Sequence, residues 1–378
     1  MRIALVHDYL NQYGGAEKVL EAFVEIFPDA PIYTLFYDQK IVDEFFPGKK
    51  IQASFLQKIP FIKKHHRIFP PLMPIAVEKF NLLDYDLVIS DSAAFGKGVI
   101  TNSKTLHICY CHTPTRYAWD DSHKYVKEFS MSKLAKIFVP IFMNYLRLWD
   151  KEASRRVDKF ICNSKFVEQR IKKYYKQDAE VIHPPVDTEF FKPSDHTRSS
   201  LATNGESYYL MVGRLLPYKR FDIAIEAFNK LELPLKIIGK GPEMKKLKKM
   251  ANWNIEFLGE LAGEKLKEYY QNCQALIFPQ EEDFGIVALE AMGCGKPIIA
   301  YGGGGALESV LEGKTGVFFN EQNTDSLVEA VKKFHLLASE SKFNFVFIRN
   351  HAIKFDKEIF KKKIKDFIDK AWKEFKDL

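Results

Sequence analysis

The chain has 378 residues and a net charge of +7, from 56 Lys+Arg against 49 Asp+Glu. Apolar residues make up 46 % and charged residues 28 %, which provides ample core and excludes a largely disordered chain. The length suits two domains, and the diffuse excess of base excludes assignment as a nucleic-acid protein on charge alone, while admitting phosphate esters or an anionic membrane surface as partners.

A strand is predicted over residues 2–7, then a helix from Ala16 to Phe27 with Val19, Leu20, Phe23 and Phe27 on one face. Strands follow over 31–36, 86–90, 105–110 and 158–163, with helices over 133–156 and 164–175. This alternation implies a parallel sheet covered on both faces. Pro184, Pro185, Pro193 and a polar run ending in Thr203-Asn204-Gly205 mark 184–206 as a linker. A second series begins beyond it. Its strands are expected over 207–212, 234–238, 254–258, 274–278, 297–301 and 316–319, and its helices over 219–230, 243–251, 263–272, 285–293 and 323–337. The tail, Asp356 to Leu378, is a lysine-rich helix. Its stripe of Phe360, Ile364, Phe367, Ala371, Trp372 and Phe375 needs a surface to dock on. The expected fold is therefore α/β, with two Rossmann-like doubly wound domains, 1–190 and 205–355, facing a central cleft. The helix 356–378 is expected to return to the first domain. Ligands of such sheets bind at the carboxyl ends of the strands, which makes the cleft the expected site.

The opening run Met1-Arg2-Ile3-Ala4-Leu5-Val6 is too short for the core of a signal peptide. No stretch approaches the roughly 18 apolar residues of a spanning helix. A cytoplasmic location is expected, with peripheral contact at the inner face of the membrane. Cys109, Cys111, Cys162, Cys273 and Cys294 are an odd count, read as free thiols. Cys109-Tyr110-Cys111-His112 lacks the second ligand pair of a structural zinc site, so no metal is expected. Strand alternation puts Cys109 and Cys111 on one face and Tyr110 on the other.

Chemistry gathers in the loops that follow strands. Tyr13-Gly14-Gly15-Ala16-Glu17 joins the first strand to its helix. Paired glycines allow close backbone approach and a helix N-terminus favours an anion, but the pattern is not GxGxxG and also fits a plain turn. Val212-Gly213-Arg214, with Lys219 five residues on, opens the second domain. Arg214 and Lys219 either clamp two phosphates or are solvated surface cations. Glu281-Glu282-Asp283-Phe284-Gly285-Ile286-Val287 leads into a helix that carries Glu290. The amides from Phe284 to Val287 would form an anion site, and Glu282 and Glu290 could each accept from a diol. The competing reading is capping, since acids stabilise helix starts by about 0.3–1 kcal/mol each. Gly302-Gly303-Gly304-Gly305 is either a place of close approach or a flexible loop. In the first domain, His112 follows strand 105–110, with Arg116 and Tyr117 just beyond. It is either a structural histidine or part of a polar site.

Gly213-Arg214 with Lys219, and the E-x7-E of Glu282 and Glu290 enclosing Phe284-Gly285, resemble the retaining glycosyltransferases of family 4, which have the GT-B fold. Cys111-His112-Thr113-Pro114, Trp149-Asp150 and Ile182-His183-Pro184-Pro185-Val186-Asp187 look most like the WbaZ-like bacterial mannosyltransferases of polysaccharide and O-antigen assembly. The resemblance implies a nucleotide-sugar donor, GDP-mannose, and a saccharide or lipid-linked saccharide acceptor. It implies that Arg214 and Lys219 neutralise the diphosphate, Glu290 binds the ribose and Glu282 contacts the sugar with the amides of Phe284, Gly285, Ile286 and Val287. Gly14, Gly15 and Gly213 would approach the diphosphate, while Gly239 and Leu258 lie in loops bordering the base. His112 would sit at the reacting centre, with Arg116 and Tyr117 on the acceptor side. No metal or other cofactor is implied.

Residues 58–69 mix Lys58, Lys63, Lys64 and Arg67 with Ile59, Phe61, Ile62, Ile68 and Phe69, a composition suited to anionic lipid. Leu134, Ile137, Phe138, Ile141, Phe142, Tyr145 and Leu148 recur at helical spacing, which favours a core helix kinked at Pro140 over a membrane one. The alternatives are a UDP-sugar transferase of the same fold, a nucleotide-sugar epimerase or binding protein, and a nucleic-acid binder, for which no aromatic-basic sheet motif exists.

Overall fold

The computed structural model describes residues 1–65, 70–120, 133–194 and 207–377, with the side chains of 64–65 and 133–138 outside the description. The chain divides into two compact units, Met1–His183 with Phe360–Leu378, and Pro184–Ile359.

The N-terminal unit holds a seven-stranded sheet of β1 (Ile3–His7), β2 (Ile32–Thr34), β3 (Ile51–Ala53), β4 (Leu87–Ser92), β5 (Leu106–Cys111), β6 (Lys159–Cys162) and β7 (Ala179–Val181). Its order is β3-β2-β1-β4-β5-β6-β7, and every pairing is parallel. The sequence pattern missed β3 and β7. Both are three-residue edge strands without a fully buried residue, too short to show a period. It also missed the helix Gln39–Phe45, capped by Asp38. β4 and β5 are buried along their whole length, as central parallel strands must be. β5 sends Cys109 and Cys111 into one core layer and Tyr110 into the other. All five cysteines are buried free thiols.

The helix Lys357–Lys376 closes the N-terminal unit from its far end of the sequence. Phe360, Ile364, Ile368 and Ala371 are buried in the same layer as Val19, Leu20 and Phe23 of the helix Gly15–Ile26. Phe360 meets Phe23 edge-on at 6.0 Å. Phe367, Trp372 and Phe375 are only partly buried, and Ile368 takes a place the stripe did not include.

The second unit holds β8 (Tyr209–Val212), β9 (Leu235–Ile238), β10 (Ile255–Gly259), β11 (Leu276–Phe278), β12 (Ile298–Tyr301) and β13 (Gly316–Phe319), in the order β10-β9-β8-β11-β12-β13, all parallel. The first boundary falls at His183–Pro184, ahead of residue 190, and residues 184–194 are not a free linker. Val186 and Phe191 are buried in the core of the second unit, and Arg349 donates to the carbonyls of Thr188, Phe191 and Gly293. Arg349 lies on a helix, Phe345–Ile353, that the sequence reading also missed. The rest of the expected linker, 195–206, lies outside the described residues.

The helix Lys133–Ser154 runs through Pro140 without interruption. Val139, Met143 and Leu146 are buried, while Ile141, Tyr145 and Leu148 are exposed. It is thus a core helix on one face only; Leu134, Ile137 and Phe138 lie outside the described side chains. In 58–69, Ile62 is buried and Phe61 is 77 % exposed. Lys64, Arg67, Ile68 and Phe69 fall outside the described side chains. Among the described residues no helix is long and apolar enough to cross a membrane.

Candidate active site

In a doubly wound sheet the strand order reverses beside the first strand, and the loops there splay apart to leave room for a ligand. In the second unit this point lies between β8 and β11. Gly213 and Arg214 follow β8, and Pro279 to Glu282 follow β11. Lys219 ends a short 3-10 turn, Pro217–Lys219, rather than opening the expected helix, which runs Phe221–Leu231 after a left-handed Arg220. Arg214 is exposed. Lys219 forms an ion pair with Glu282, so the sequence-distant cation and acid are brought together.

The glycines of this unit make close backbone approaches. A Cβ on Gly239 would lie 1.9 Å from the carbonyl oxygen of Gly213, so the loop after β9 packs against the loop after β8 only with glycine at 239. Gly239 donates to the Gly259 carbonyl at 2.7 Å, which ties in the end of β10, where Leu258 lies in the strand rather than in a loop. Of the four glycines 302–305, Gly304 and Gly305 are places of close approach to protein backbone, while Gly302 has room for a side chain. A Cβ on Gly304, at φ +60°, would lie 2.3 Å from the Glu282 carbonyl oxygen, and Gly305 donates to that oxygen at 2.8 Å. These glycines set the backbone that presents Glu282.

The helix after the acidic loop is Ile286–Gly293, one residue later than expected. Gly285 is left-handed, at φ +93°, and its Cβ would strike the Phe278 ring. Phe284 is buried and holds the loop from below, while Ile286 and Val287 form the first turn. Glu290 is buried, and one of its carboxylate oxygens accepts from the Tyr270 hydroxyl at 2.8 Å.

In the N-terminal unit the reversal lies between β1 and β4. His7 ends β1 directly beside Asp91 of β4, and His112 follows β5. His7 Nδ1 lies 2.8 Å from Asp91 Oδ2, and His112 Nε2 lies 2.6 Å from Asp91 Oδ1. The other ring nitrogen of His7 faces Glu17 Oε1 at 3.7 Å. Glu17 also accepts from the Gly14 amide at 2.8 Å, so the Gly14-Gly15 loop is a capped helix start whose first donor is already met by protein. Asp8 accepts from the amides of Ala93, Ala94, Phe95 and Gly96 and from the Ser92 hydroxyl, locking the loop after β4 to the end of β1.

Residues 13–190 match the family model described as Glycosyltransferase Family 4, and residues 194–344 match the one described as Glycosyl transferases group 1. The chain is a family 4 glycosyltransferase. It is 26 % identical over 341 residues to an uncharacterized glycosyltransferase of Methanocaldococcus jannaschii, covering 88 % of this chain and 87 % of that one. It is 29 % identical to a GDP-mannose-dependent alpha-(1-6)-phosphatidylinositol monomannoside mannosyltransferase of Mycolicibacterium smegmatis, over 44 % of this chain and half the length of that relative. Its structure is similar to that of Anabaena HepE in complex with UDP and glucose, with a TM-score of 0.72 at 20 % identity, covering 98 % of this chain and 99 % of the other. That likeness shows the GT-B fold.

The glycosyltransferase carries buried charge that the sequence reading did not anticipate. Burial lowers the basicity of His7, but the hydrogen bond to Asp91 and the charge of the nearby Glu17 carboxylate outweigh it and raise its pKa to about 10. Burial disfavours the Asp91 carboxylate, yet His112 and His7 hold its pKa below the ordinary value. Lys97 and Asp150 form a second buried pair at 2.6 Å. Asp150 also accepts from Thr115, Trp119 and Tyr175 at 2.7–2.8 Å, fixing the segment that carries the half-buried Arg116 and Tyr117. The available signal for His7, Asp8 and Asp91 was position: each lies at the carboxyl end of a strand beside the reversal.

Proposed function

We propose that this family 4 glycosyltransferase moves mannose from GDP-mannose, with retention, onto a saccharide or lipid-linked saccharide in the assembly of a cell-surface polysaccharide. The observation that carries the reading is the convergence of Gly213, Arg214, Lys219 and Glu282 at the β8–β11 reversal. The M. smegmatis relative supports the choice of donor.

In this reading Arg214 and Lys219 hold the diphosphate, Glu290 accepts from the ribose diol, and Glu282 accepts from the sugar hydroxyls. His112 contacts the transferred sugar, and Arg116 and Tyr117 contact the acceptor. The sugar–phosphate bond breaks through an oxocarbenium-like state, and negative charge develops on the leaving diphosphate. Arg214 and Lys219 stabilise that charge, the kind of interaction whose removal costs about 3–4 kcal/mol of barrier. The acceptor hydroxyl attacks on the same face and gives its proton to the leaving phosphate. The protein's own cations serve the phosphates, so the scheme uses no metal ion. The enzyme would work in the cytoplasm, at the inner face of the membrane.

A thermal-shift panel of GDP, UDP and ADP tests the donor. A nucleotide at 100 times its Kd adds about 2.7 kcal/mol of stability. Stabilisation by GDP alone supports the reading, and stabilisation by UDP alone overturns it in favour of a UDP-sugar transferase, the reading to which the HepE complex lends support. Release of GDP from GDP-mannose that depends on acceptor separates transfer from epimerisation or simple binding. An inverted product anomer would sink retention.

A further inference from the structure

The cluster around Asp91 contains two carboxylates and two imidazoles in one buried chain, Glu17–His7–Asp91–His112. The side chains of His7, Glu17 and Asp91 are 3 % exposed or less. His112 alone reaches the surface, at 12 %. Net charge is costly where water is excluded. With both carboxylates ionised, the chain is neutral only when both imidazoles are protonated. The other titratable groups facing His112 do not upset this count. Asp8, immediately after β1, has its carboxylate met by four backbone amides. The Tyr110 ring meets the His112 ring edge-on at 5.3 Å, and its hydroxyl donates to the Ile182 carbonyl. Both oxygens of Asp91 accept from imidazole, so Asp91 cannot rotate away from His112 without also breaking from His7.

We propose that Glu17, His7 and Asp91 are positioning residues that hold His112 as an imidazolium, so that it meets the donor as a fixed positive charge and hydrogen-bond donor rather than as a base. The inference rests on His112 acting in transfer. His7 and Asp91 touch no substrate and act through His112. The direction of the His112 shift agrees: burial works against protonation, and Asp91 more than offsets it. The chain also ties the Gly14-Gly15 turn to His112, because Glu17 caps that turn through the Gly14 amide while facing His7.

The test is side-chain nitrogen NMR of the full chain labelled at histidine, with the His112 signals assigned by His112→Gln. The expected result is an imidazolium at pH 7.5 in the unaltered protein. Asp91→Asn should lower the His112 titration midpoint by about one unit or more, and kcat by about tenfold or more with donor KM nearly unchanged. Asp91→Glu, which keeps the charge, should restore the imidazolium signature. A neutral His112 at pH 7.5 in the unaltered protein overturns the inference, and that reading needs no variant to fold. A midpoint unmoved in Asp91→Asn overturns it as well. Failure of the transfer reading would look different: the unaltered protein would show the imidazolium and yet not turn over GDP-mannose or UDP-glucose.

Discussion

Lys219 and Glu282 are paired within the second unit, their side chains only 12 % and 16 % exposed, although 63 residues of sequence (282 − 219) separate them. The pair joins the 3-10 turn after β8 to the loop after β11. In the proposed chemistry the cation faces the diphosphate and the acid faces the sugar, so each neutralises the other where their two targets are covalently joined. Lys219→Ala should lower kcat by about 100–1000-fold, corresponding to roughly 3–4 kcal/mol, with little change in Tm. Glu282→Gln should keep affinity for the nucleoside diphosphate and weaken affinity for the nucleotide sugar. Calorimetric titration with both ligands checks the second outcome, and normal turnover by Lys219→Ala would remove the clamp assignment.

Gly304 predicts a structural route to the same loss. An alanine there meets the Glu282 carbonyl and adopts a left-handed backbone, which costs about 1–2 kcal/mol before any clash. Gly304→Ala should lower both Tm and kcat/KM. Gly302→Ala, whose Cβ has no neighbour nearer than 3.5 Å, should be mild in both measurements.

Lys97 and Asp150 are both almost fully buried. Burial acts against a charged Lys97, but Asp150 overcomes it and raises its pKa. Removing one partner strands a buried charge. Asp150→Leu should therefore cost about 3–5 kcal/mol, and the double variant with Lys97→Met should recover only the part due to the stranded charge, because Thr115, Trp119 and Tyr175 still lose their acceptor. Chemical denaturation of both variants gives the two values.

Two buried histidines give the protein opposite pH responses. His7 has a folded pKa of about 10 against about 6.5 unfolded, so its contribution is complete below pH 6.5 and is lost as pH rises toward 10. The His107 ring lies 2.8 Å from the Ser90 hydroxyl, with no carboxylate partner among the described residues, and burial lowers its pKa to about 4. Its contribution is present above pH 6.5 and is lost as pH falls toward 4. His7→Gln should flatten the alkaline limb of a stability profile, and His107→Gln the acid limb. Denaturation midpoints from pH 4 to pH 10 check both.

Sequence periodicity determined the two βα series, the amphipathic tail and the loops that hold Arg214, Lys219, Glu282 and His112, because buried parallel strands are apolar throughout and the turns between them are not. It also carried Cys109 and Cys111 to one face of β5. It did not resolve three-residue edge strands such as β3 and β7, whose half-exposed residues show no period. Glycines 302–305 were visible, but what they approach was not: their neighbour, the Glu282 backbone, is distant in sequence. The tertiary structure alone decided that His7 meets Asp91, that Asp91 meets His112, and that Asp150 gathers Lys97, Thr115, Trp119 and Tyr175. Strand order and register set the first two, putting His7 and Asp91, 84 positions apart, side by side at the ends of β1 and β4, with His112 just beyond β5, whereas helix packing sets the contacts of Asp150. A periodic pattern reports which face of an element is buried, not which element lies next to it.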